Sequence, residues 1–256
     1  MTNQPIFSTL LLYTENCLFK GGHQVPARNR GSGGPIPLHI FVRFYMFDRI
    51  LVLSPHPDDG ELGCGGTLVK YIEEGKEVYY IGVTPCKNTI PEGFPEDTLI
   101  RECYEATKIL GIPRSNVKVC EFENKRFPRQ RYEIFNMLED ARVDIAPDMV
   151  FIPSLQDVHQ DHHTVAVEAI RAFRRKNTIV AYEEPWNNIT ITTTAFSPIE
   201  RRHLDTKLKA LDCYASQSFQ KRGYFDAGYI ESLAKTRGVQ INCKYAEAFE
   251  IVRWIM

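Results

Sequence analysis

One short segment of this chain carries two kinds of side chain that bind metal ions. The segment "SPHPDDGELGCGG", residues 54–66, follows the apolar run Ile50–Leu53, which predicts a buried strand. It places one imidazole and two carboxylates, those of His56, Asp58 and Asp59, where that strand ends and a helix begins. A phosphate-binding loop would not contain two carboxylates, because both would repel the phosphate. The segment therefore indicates a site for a cation.

A second cluster of the same residue types follows another predicted strand. The segment "SLQDVHQDHHTVAVEAI" holds His159, Asp161, His162 and His163 within five residues. Four of the seven histidines of the chain lie in these two segments, which favours a metal site over scattered structural histidines. His163 is interpreted as a solvated neighbour, because two adjacent helical residues rarely face one metal.

The ligand types favour zinc in a catalytic site. Three protein ligands with one open position are typical of catalytic zinc, and His and Asp side chains suit Zn²⁺. The chain has no C-x-x-C pair, which argues against a closed structural site. His56, Asp59 and His162 could converge on one ion if the two loops are neighbours.

Three further polar groups remain beside that ion. Asp58, His159 and Asp161 could supply a base for water and an acid or electrostatic partner for a developing oxyanion. A carboxylate also commonly orients a histidine through its second ring nitrogen. The spacing alone leaves the assignment of these roles open.

The elements that position both clusters alternate along the chain. Strands are predicted at residues 50–53, 77–84, 117–122, 148–153, 177–183 and 246–254, and helices at residues 67–74, 99–110, 129–142, 162–175 and 204–217. This alternation predicts an α/β fold: a single Rossmann-like, doubly wound domain over residues 46–256, with a mostly parallel sheet and helices on both faces. In such folds, ligands bind at the carboxyl ends of the strands, where both clusters are placed.

The remaining properties of the chain exclude some classes of partner. Residues 1–45, rich in Gly, Pro and Arg, are interpreted as a loose N-terminal extension or a mis-called start. The net charge of −1 gives no attraction to nucleic acid, and no apolar stretch is long enough for a membrane span. Seven dispersed cysteines and the lack of a secretory signal predict a cytoplasmic protein. A homo-oligomer is left open.

Four motifs together resemble one known family. They are "HPDD" followed by Glu61 and a Gly-Gly-Thr helix start, "HQDH", "RECYEATKILGI" and "RGVQINCKYAEAFE". In this order they resemble the PIG-L/LmbE-like zinc-dependent N-deacetylases over roughly residues 48–252. The chain departs from the family pattern at Gln160, where a proline is usual, and at Gly60, where some members have Glu. Neither departure removes a metal-binding group.

The resemblance implies roles for the residues of the two clusters. His56, Asp59 and His162 would bind zinc, and Asp58 would be the general base. His159 would stabilise the oxyanion or protonate the leaving amine.

The resemblance also implies two supporting roles. Asp161 would orient the histidine that stabilises the oxyanion, and Arg101 would contact polar groups of the substrate. Trp186 follows the fifth predicted strand, and the residues alone leave it as either a core side chain or a sugar-stacking wall of the cleft.

Two functions from different classes remain. The first is a zinc hydrolase that removes the acetyl group from a small N-acetylated amino sugar or sugar conjugate and releases acetate and a free amine. The alternative is a non-catalytic Rossmann-like module that binds a nucleotide or nucleotide sugar. Another amidase or a metal phosphoesterase is a weaker rival, because two-metal phosphoesterases need more ligands. The sequence does not identify the sugar.

Overall fold

The computed structural model describes residues 47–256, so the predicted extension at residues 1–45 lies outside the described residues. A seven-stranded sheet of order β3-β2-β1-β4-β5-β7-β6 forms the centre of the described part. Its strands are Arg49–Ser54 (β1), Glu77–Gly82 (β2), Val117–Val119 (β3), Met149–Pro153 (β4), Thr178–Tyr182 (β5), Ala195–Ile199 (β6) and Tyr245–Arg253 (β7).

Most neighbouring strands of the sheet are parallel. In β1, Leu51 pairs with Tyr79 of β2 on one side and with Val150 of β4 on the other. The last strand, β7, runs antiparallel to both β5 and β6. Edge strand β6 was not predicted; it contains Pro198, which cannot donate a ladder hydrogen bond and is therefore confined to sheet edges.

Helices cover both faces of this sheet. They are Asp59–Glu73 (α1), Thr98–Leu110 (α2), Arg131–Ile145 (α3), Gln160–Phe173 (α4), Arg201–Leu211 (α5), Ala215–Phe219 (α6) and Ala227–Gln240 (α7). Ile50 and Val52 of β1 join the core beneath α1, α2, α5 and α7, whereas Leu51 and Leu53 join the core beneath α3 and α4. Successive strand residues point to opposite faces, so the uninterrupted apolar run of β1 fills two cores. The predicted doubly wound α/β fold is confirmed.

Some helix boundaries differ from the predictions. Helix α1 begins at Asp59, eight residues before the predicted start at residue 67, because the glycine-rich segment is itself helical. The predicted helix 204–217 is two helices, α5 and α6, separated by a turn at residues 212–214. Helix α7 was missed, because its sequence has a weak apolar stripe in which Ile230, Ala234 and Gly238 are buried.

The glycines let α1 lie unusually close to the sheet. A Cβ atom at Gly63 would stand 2.2 Å from the ring of Tyr182 in β5, and one at Gly60 would stand 2.6 Å from the ring of Tyr80 in β2. Neither ring could move away without opening the core, since both tyrosines are fully buried. These glycines therefore determine how deeply the first turn of α1 sits against the strands.

The chain reverses its winding between β1 and β4. Helix α1 leaves β1 towards one face, and helix α4 leaves β4 towards the other, while β1 and β4 lie side by side. A crevice therefore opens at the carboxyl ends of these two strands, where α/β folds bind ligands. Across residues 47–256, no helix combines the length and the apolar character that a membrane crossing needs.

Candidate metal centre and active site

The first side of the crevice is the loop from β1 to α1. The side chain of Asp59, in the first turn of α1, accepts a hydrogen bond at Oδ2 from the backbone N–H of His56 at 2.7 Å. The hydroxyl of Ser54 accepts a hydrogen bond from the backbone N–H of Gly60 at 2.9 Å. These two hydrogen bonds close the short loop, so that the imidazole of His56 and the carboxylate of Asp59 point in the same direction.

The second side is the loop from β4 to α4. Asp157 accepts a hydrogen bond at Oδ1 from the backbone N–H of His159 at 2.7 Å. The N-cap residue of α4 is His159, whose Nδ1 accepts from the backbone N–H of Asp161 at 3.2 Å. His162 then projects from the first turn of α4 back towards β1, and it is 1% exposed.

The two loops bring three potential ligand atoms together, and His56, Asp59 and His162 are called the metal centre from here on. His162 Nε2 lies 3.0 Å from His56 Nδ1, and Asp59 Oδ2 lies 3.3 Å from each of these nitrogens. A tetrahedral zinc ion with bonds of 2.0–2.1 Å needs ligand atoms about 3.3–3.4 Å apart. The donor set and its spacing fit such an ion.

Carboxylates behind the metal centre fix its histidine rings. Asp157 Oδ2 lies 2.8 Å from His162 Nδ1, and Asp161 Oδ2 lies 3.3 Å from His56 Nε2. A ring whose far nitrogen donates to a carboxylate keeps the lone pair of its near nitrogen for a metal. Asp157 was not identified from the sequence, although a carboxylate five residues before a candidate histidine ligand is a usable signal.

Asp161 differs from its expected role. It was expected to orient His159, but its carboxylate contacts His56 and accepts the backbone N–H groups of Lys125 and Phe127. Only its backbone N–H reaches His159. The reason is geometric: Asp161 stands in the first turn of α4, and its side chain points across the crevice to the β1 loop.

Asp58 and His159 flank the metal centre and line the same pocket. Burial and the charge of Asp59 raise the pKa of Asp58 to about 6. Burial and the neighbouring rings of His56 and His162 lower the pKa of His159 to about 4. The ring centroid of His159 stands 4.8 Å from that of His56, in an edge-to-face arrangement.

A third strand end contributes a carboxylate that the sequence interpretation missed. Glu184 follows β5, is 2% exposed, and has its Oε2 3.4 Å from His162 Nδ1. Its Oε1 has no hydrogen-bond partner among residues 47–256. Burial, followed by the charges of Asp59 and Asp157, raises the pKa of Glu184 well above its usual value. The signal was "EE" directly after the strand next to β4.

The geometry also offers other ligand combinations around His162. Ligand atoms of His56, His159 and His162 lie within 4.8 Å of one another, and so do those of Asp59, His162 and Glu184. His162 is common to both groups. The described residues therefore place four further candidate ligand side chains next to that of His162.

A buried polar cluster supports the β1 loop from below. The hydroxyls of Tyr80 and Tyr214 both contact the carboxylate of Glu61 and the carbonyl oxygen of Pro57. Burial raises the pKa of Glu61 to about 8. The glutamate of the first motif thus holds the backbone that carries Asp58 and lies outside the pocket lining.

The remaining lining comes from the second half of the chain. Trp186, Gln217, Arg222 and Tyr224 line a pocket of about 160 Å³ above the metal centre, and they are called the pocket wall from here on. Tyr224 stacks on Trp186 with ring centroids 4.4 Å apart and an interplanar angle of 11°. One face of the Trp186 ring is therefore covered by protein, although the residue does line the cleft.

Arg101 is an expected site residue that the structure brings neither to the pocket nor to the metal centre. Its side chain is 58% exposed, and it pairs with Asp97 of the turn before α2 at 3.1 Å. Leu99, two residues earlier on α2, lines the pocket instead. Two residues on a helix are separated by about 200°, so the two side chains point in opposite directions.

Comparison with known proteins gives consistent results. Residues 51–173, which contain both His/Asp loops, match the family model of PIG-L, described as GlcNAc-PI de-N-acetylase. A protein of Escherichia coli K12 named uncharacterized deacetylase YaiS is 28% identical over 172 residues, which are 65% of this chain and 90% of that protein.

Solved structures share the fold. N,N'-diacetylchitobiose deacetylase of Pyrococcus horikoshii, crystallised with its inhibitor MPG, has a TM-score of 0.67 at 22% identity, covering 80% of this chain and 84% of that one. GalB, the 4-carboxy-2-hydroxymuconate hydratase of Pseudomonas putida KT2440, has a TM-score of 0.68 at 21% identity, covering 82% and 98%. Structures with different printed activities share this architecture, so the fold alone does not define the reaction.

Proposed function

Because the chain belongs to the PIG-L family through residues 51–173, we propose that it is a metal-dependent N-deacetylase. Its substrate would be an N-acetylated amino sugar or sugar conjugate, and its products acetate and a free amine. The observation that carries the proposal is the triangle of His56, Asp59 and His162, whose ligand atoms lie 3.0–3.3 Å apart in a pocket that Asp58 also lines. The deacetylases among the similar proteins support the same reaction class.

Zinc is the metal that the donor set suits best. Two imidazoles and one carboxylate with an open position are typical of catalytic zinc. Zinc bound by His56, Asp59 and His162 would supply Lewis acidity towards the acetamide carbonyl and would make water more acidic.

Asp58 is proposed as the general base. It lies next to the metal centre in sequence, lines the pocket, and is 6% exposed. Its carboxylate would take a proton from the water that attacks the acetyl carbonyl. A bound cation would favour the ionised form of Asp58, because an opposite charge stabilises a carboxylate.

His159 is proposed to act on the other side of the scissile amide. Its Nδ1 accepts the backbone N–H of Asp161, so its Nε2 is the nitrogen available to the pocket. A proton at Nε2 would stabilise the oxyanion or pass to the departing nitrogen. When the C–N bond breaks, that nitrogen leaves as a free amine and the carbonyl carbon leaves as acetate.

The alternative of a nucleotide-binding module has less support. The glycines at residues 60–66 lie inside α1 rather than in a loop before it. The N-terminal turn of that helix carries Asp58 and Asp59, whose charges would repel a pyrophosphate.

The test is release of amine from a panel of N-acetylated sugars. Full-length protein is prepared metal-free and then loaded with zinc, and amine and acetate are quantified for N-acetylglucosamine, its phosphates and diacetylchitobiose. We expect equimolar amine and acetate with zinc and none without it. No turnover of any substrate by protein shown to contain one zinc ion would contradict the proposal.

A further inference from the structure

The pocket wall contains one guanidinium group without an acidic partner. Arg222 lies in the turn between α6 and α7, is partly buried, and lines the pocket. Its Nε and Nη2 donate to Gln220 Oε1 at 3.2 and 2.8 Å, and its Nη1 donates to the hydroxyl of Tyr224 at 2.5 Å. Both partners are neutral, and no carboxylate within residues 47–256 forms an ion pair with Arg222.

This arrangement leaves part of the guanidinium for a ligand. An arginine side chain has five N–H donors. Gln220 and Tyr224 use three of them, so two remain. A charged group that is partly removed from water and forms no ion pair is stabilised most by an oxyanion, which can accept two parallel hydrogen bonds from the guanidinium.

Packing holds Arg222 in place before any ligand arrives. The hydroxyl that accepts from it belongs to Tyr224, and the ring of Tyr224 stacks on Trp186 at 4.4 Å. Gln220 fixes a second edge of the guanidinium. A preorganised arginine loses less side-chain entropy when it binds, which is the usual condition for a specificity contact.

Arg222 also faces the reaction centre. Its side chain and that of Asp58, which lies next to the metal centre, line the same pocket. A small substrate in this pocket would therefore be within reach of both the guanidinium and the group proposed as general base.

A second cation lines the pocket from the segment that follows β3. Lys125 is exposed, and its backbone N–H donates to Asp161 Oδ2 at 2.5 Å. No ion pair of its ammonium group is found among the described residues. Asp58, Asp59 and Glu184 line the same pocket, yet neither cation forms an ion pair with a carboxylate of the described residues. A neutral sugar would not require these two cations.

We propose that Arg222, assisted by Lys125, binds an acidic group of the substrate, so that the substrate is an anionic N-acetylated amino sugar. The acidic group is a phosphate or a carboxylate separate from the reacting acetamide. This inference rests on the proposed function for the reaction and adds the chemical class of the substrate. Arg222 would then be a specificity residue, and the metal centre would be the same for any acetamido sugar.

The kinetic test compares neutral and acidic substrates. Zinc-loaded wild type, Arg222→Gln, Arg222→Lys and Arg175→Gln are assayed with N-acetylglucosamine, its 1- and 6-phosphates, and N-acetylmuramic acid, which carries a carboxylate. Arg175 is an exposed cation beyond the end of α4 and serves as the control. Circular dichroism melting shows that each variant is folded.

We expect wild type to prefer at least one acidic substrate. Arg222→Gln should lower the ratio of kcat/KM between that substrate and N-acetylglucosamine about 10- to 100-fold, which is the effect of one charged hydrogen-bonding group. The loss should appear mainly in KM, Arg222→Lys should recover part of it, and Arg175→Gln should leave the ratio unchanged. The proposal would be overturned if wild type preferred no acidic substrate, or if Arg222→Gln lowered kcat/KM equally for neutral and acidic substrates.

A binding measurement separates this inference from the reaction itself. Calorimetry of glucosamine and glucosamine 6-phosphate with the same proteins needs no turnover. Tighter binding of the phosphate that disappears in Arg222→Gln would support the role of Arg222 even if no acetamide is cleaved. Equal affinity of the wild type for both compounds, together with no preference for acidic substrates in the assay, would contradict this inference. The proposed deacetylation would not be affected by that result.

Discussion

The metal centre and the pocket wall take their side chains from different parts of the chain and hold them with different contacts. The centre comes from two strand-to-helix loops. Carboxylates at 2.8–3.3 Å fix its two rings, and a backbone N–H at 2.7 Å fixes the carboxylate of Asp59. The wall comes from residues 186–224, where aromatic stacking and neutral partners fix the side chains. Under the proposed function, the metal centre would carry out the hydrolysis and the pocket wall would select the substrate.

Removing a ligand should have the largest effect. We expect His162→Ala to lose zinc and to lower kcat/KM by about 10³-fold or more, because several kcal/mol of transition-state stabilisation depend on the metal. The measurement is zinc content by mass spectrometry and turnover on one sample. His163→Ala is the matched control, since that adjacent histidine is exposed. Full zinc content in His162→Ala would show that His162 is not a ligand.

Removing the base should separate chemistry from metal binding within the same loop. We expect Asp58→Asn to keep its zinc and to lower kcat by about 10²- to 10⁴-fold, the usual contribution of a general base. Loss of zinc would make Asp58 a ligand. Retained zinc with full turnover would place the base elsewhere, and Glu184 would be the next candidate, because its Oε1 has no partner in the described residues.

Removing a carboxylate behind the centre should have a smaller effect. Asp157→Asn keeps the shape of the side chain but no longer offers a carboxylate to His162 Nδ1. We expect zinc affinity to fall about 10- to 100-fold, with activity restored by excess zinc. Competition with a chromogenic chelator measures this affinity. An unchanged affinity would mean that the hydrogen bond does not tune the metal.

The smallest effect is expected outside both regions. Arg101→Ala removes a side chain that is 58% exposed and paired with Asp97. We expect kcat and KM to change less than about twofold, because surface ion pairs contribute little. The steady-state constants should match those of Arg175→Ala. A large rise in KM would return Arg101 to the substrate site and would extend the wall to α2.

The difference between the metal centre and the pocket wall explains which residues could be predicted from the sequence. His56, Asp59 and His162 were identifiable because dense His/Asp clusters directly follow buried strands, and parallel strands place their carboxyl ends together. The five parallel strands could also be predicted from local sequence. Among them, β1 and β4 are continuous apolar runs.

Apart from Trp186, which follows a predicted strand, the wall could not be predicted in this way. Arg222 and Tyr224 lie in a turn without a motif, between α6 and a helix with a weak apolar stripe. Whether Arg101 or Leu99 faces the pocket depends on the rotation of α2 about its axis. That rotation is set by packing, and the motif, which begins at Arg101, does not report it. Asp161 shows the same limit, because its backbone and side chain serve different histidines.

The separation of the two loops along the chain has a thermodynamic consequence. His56 and His162 are 106 positions apart, and their contact exists only once β1 and β4 have paired. An ion that binds only the assembled site adds its binding free energy to the stability of the whole fold. At a free metal concentration 1,000 times Kd, this linkage amounts to about 4 kcal/mol. Metal supply would thus govern the fraction of the chain that is folded, as well as the rate of the reaction.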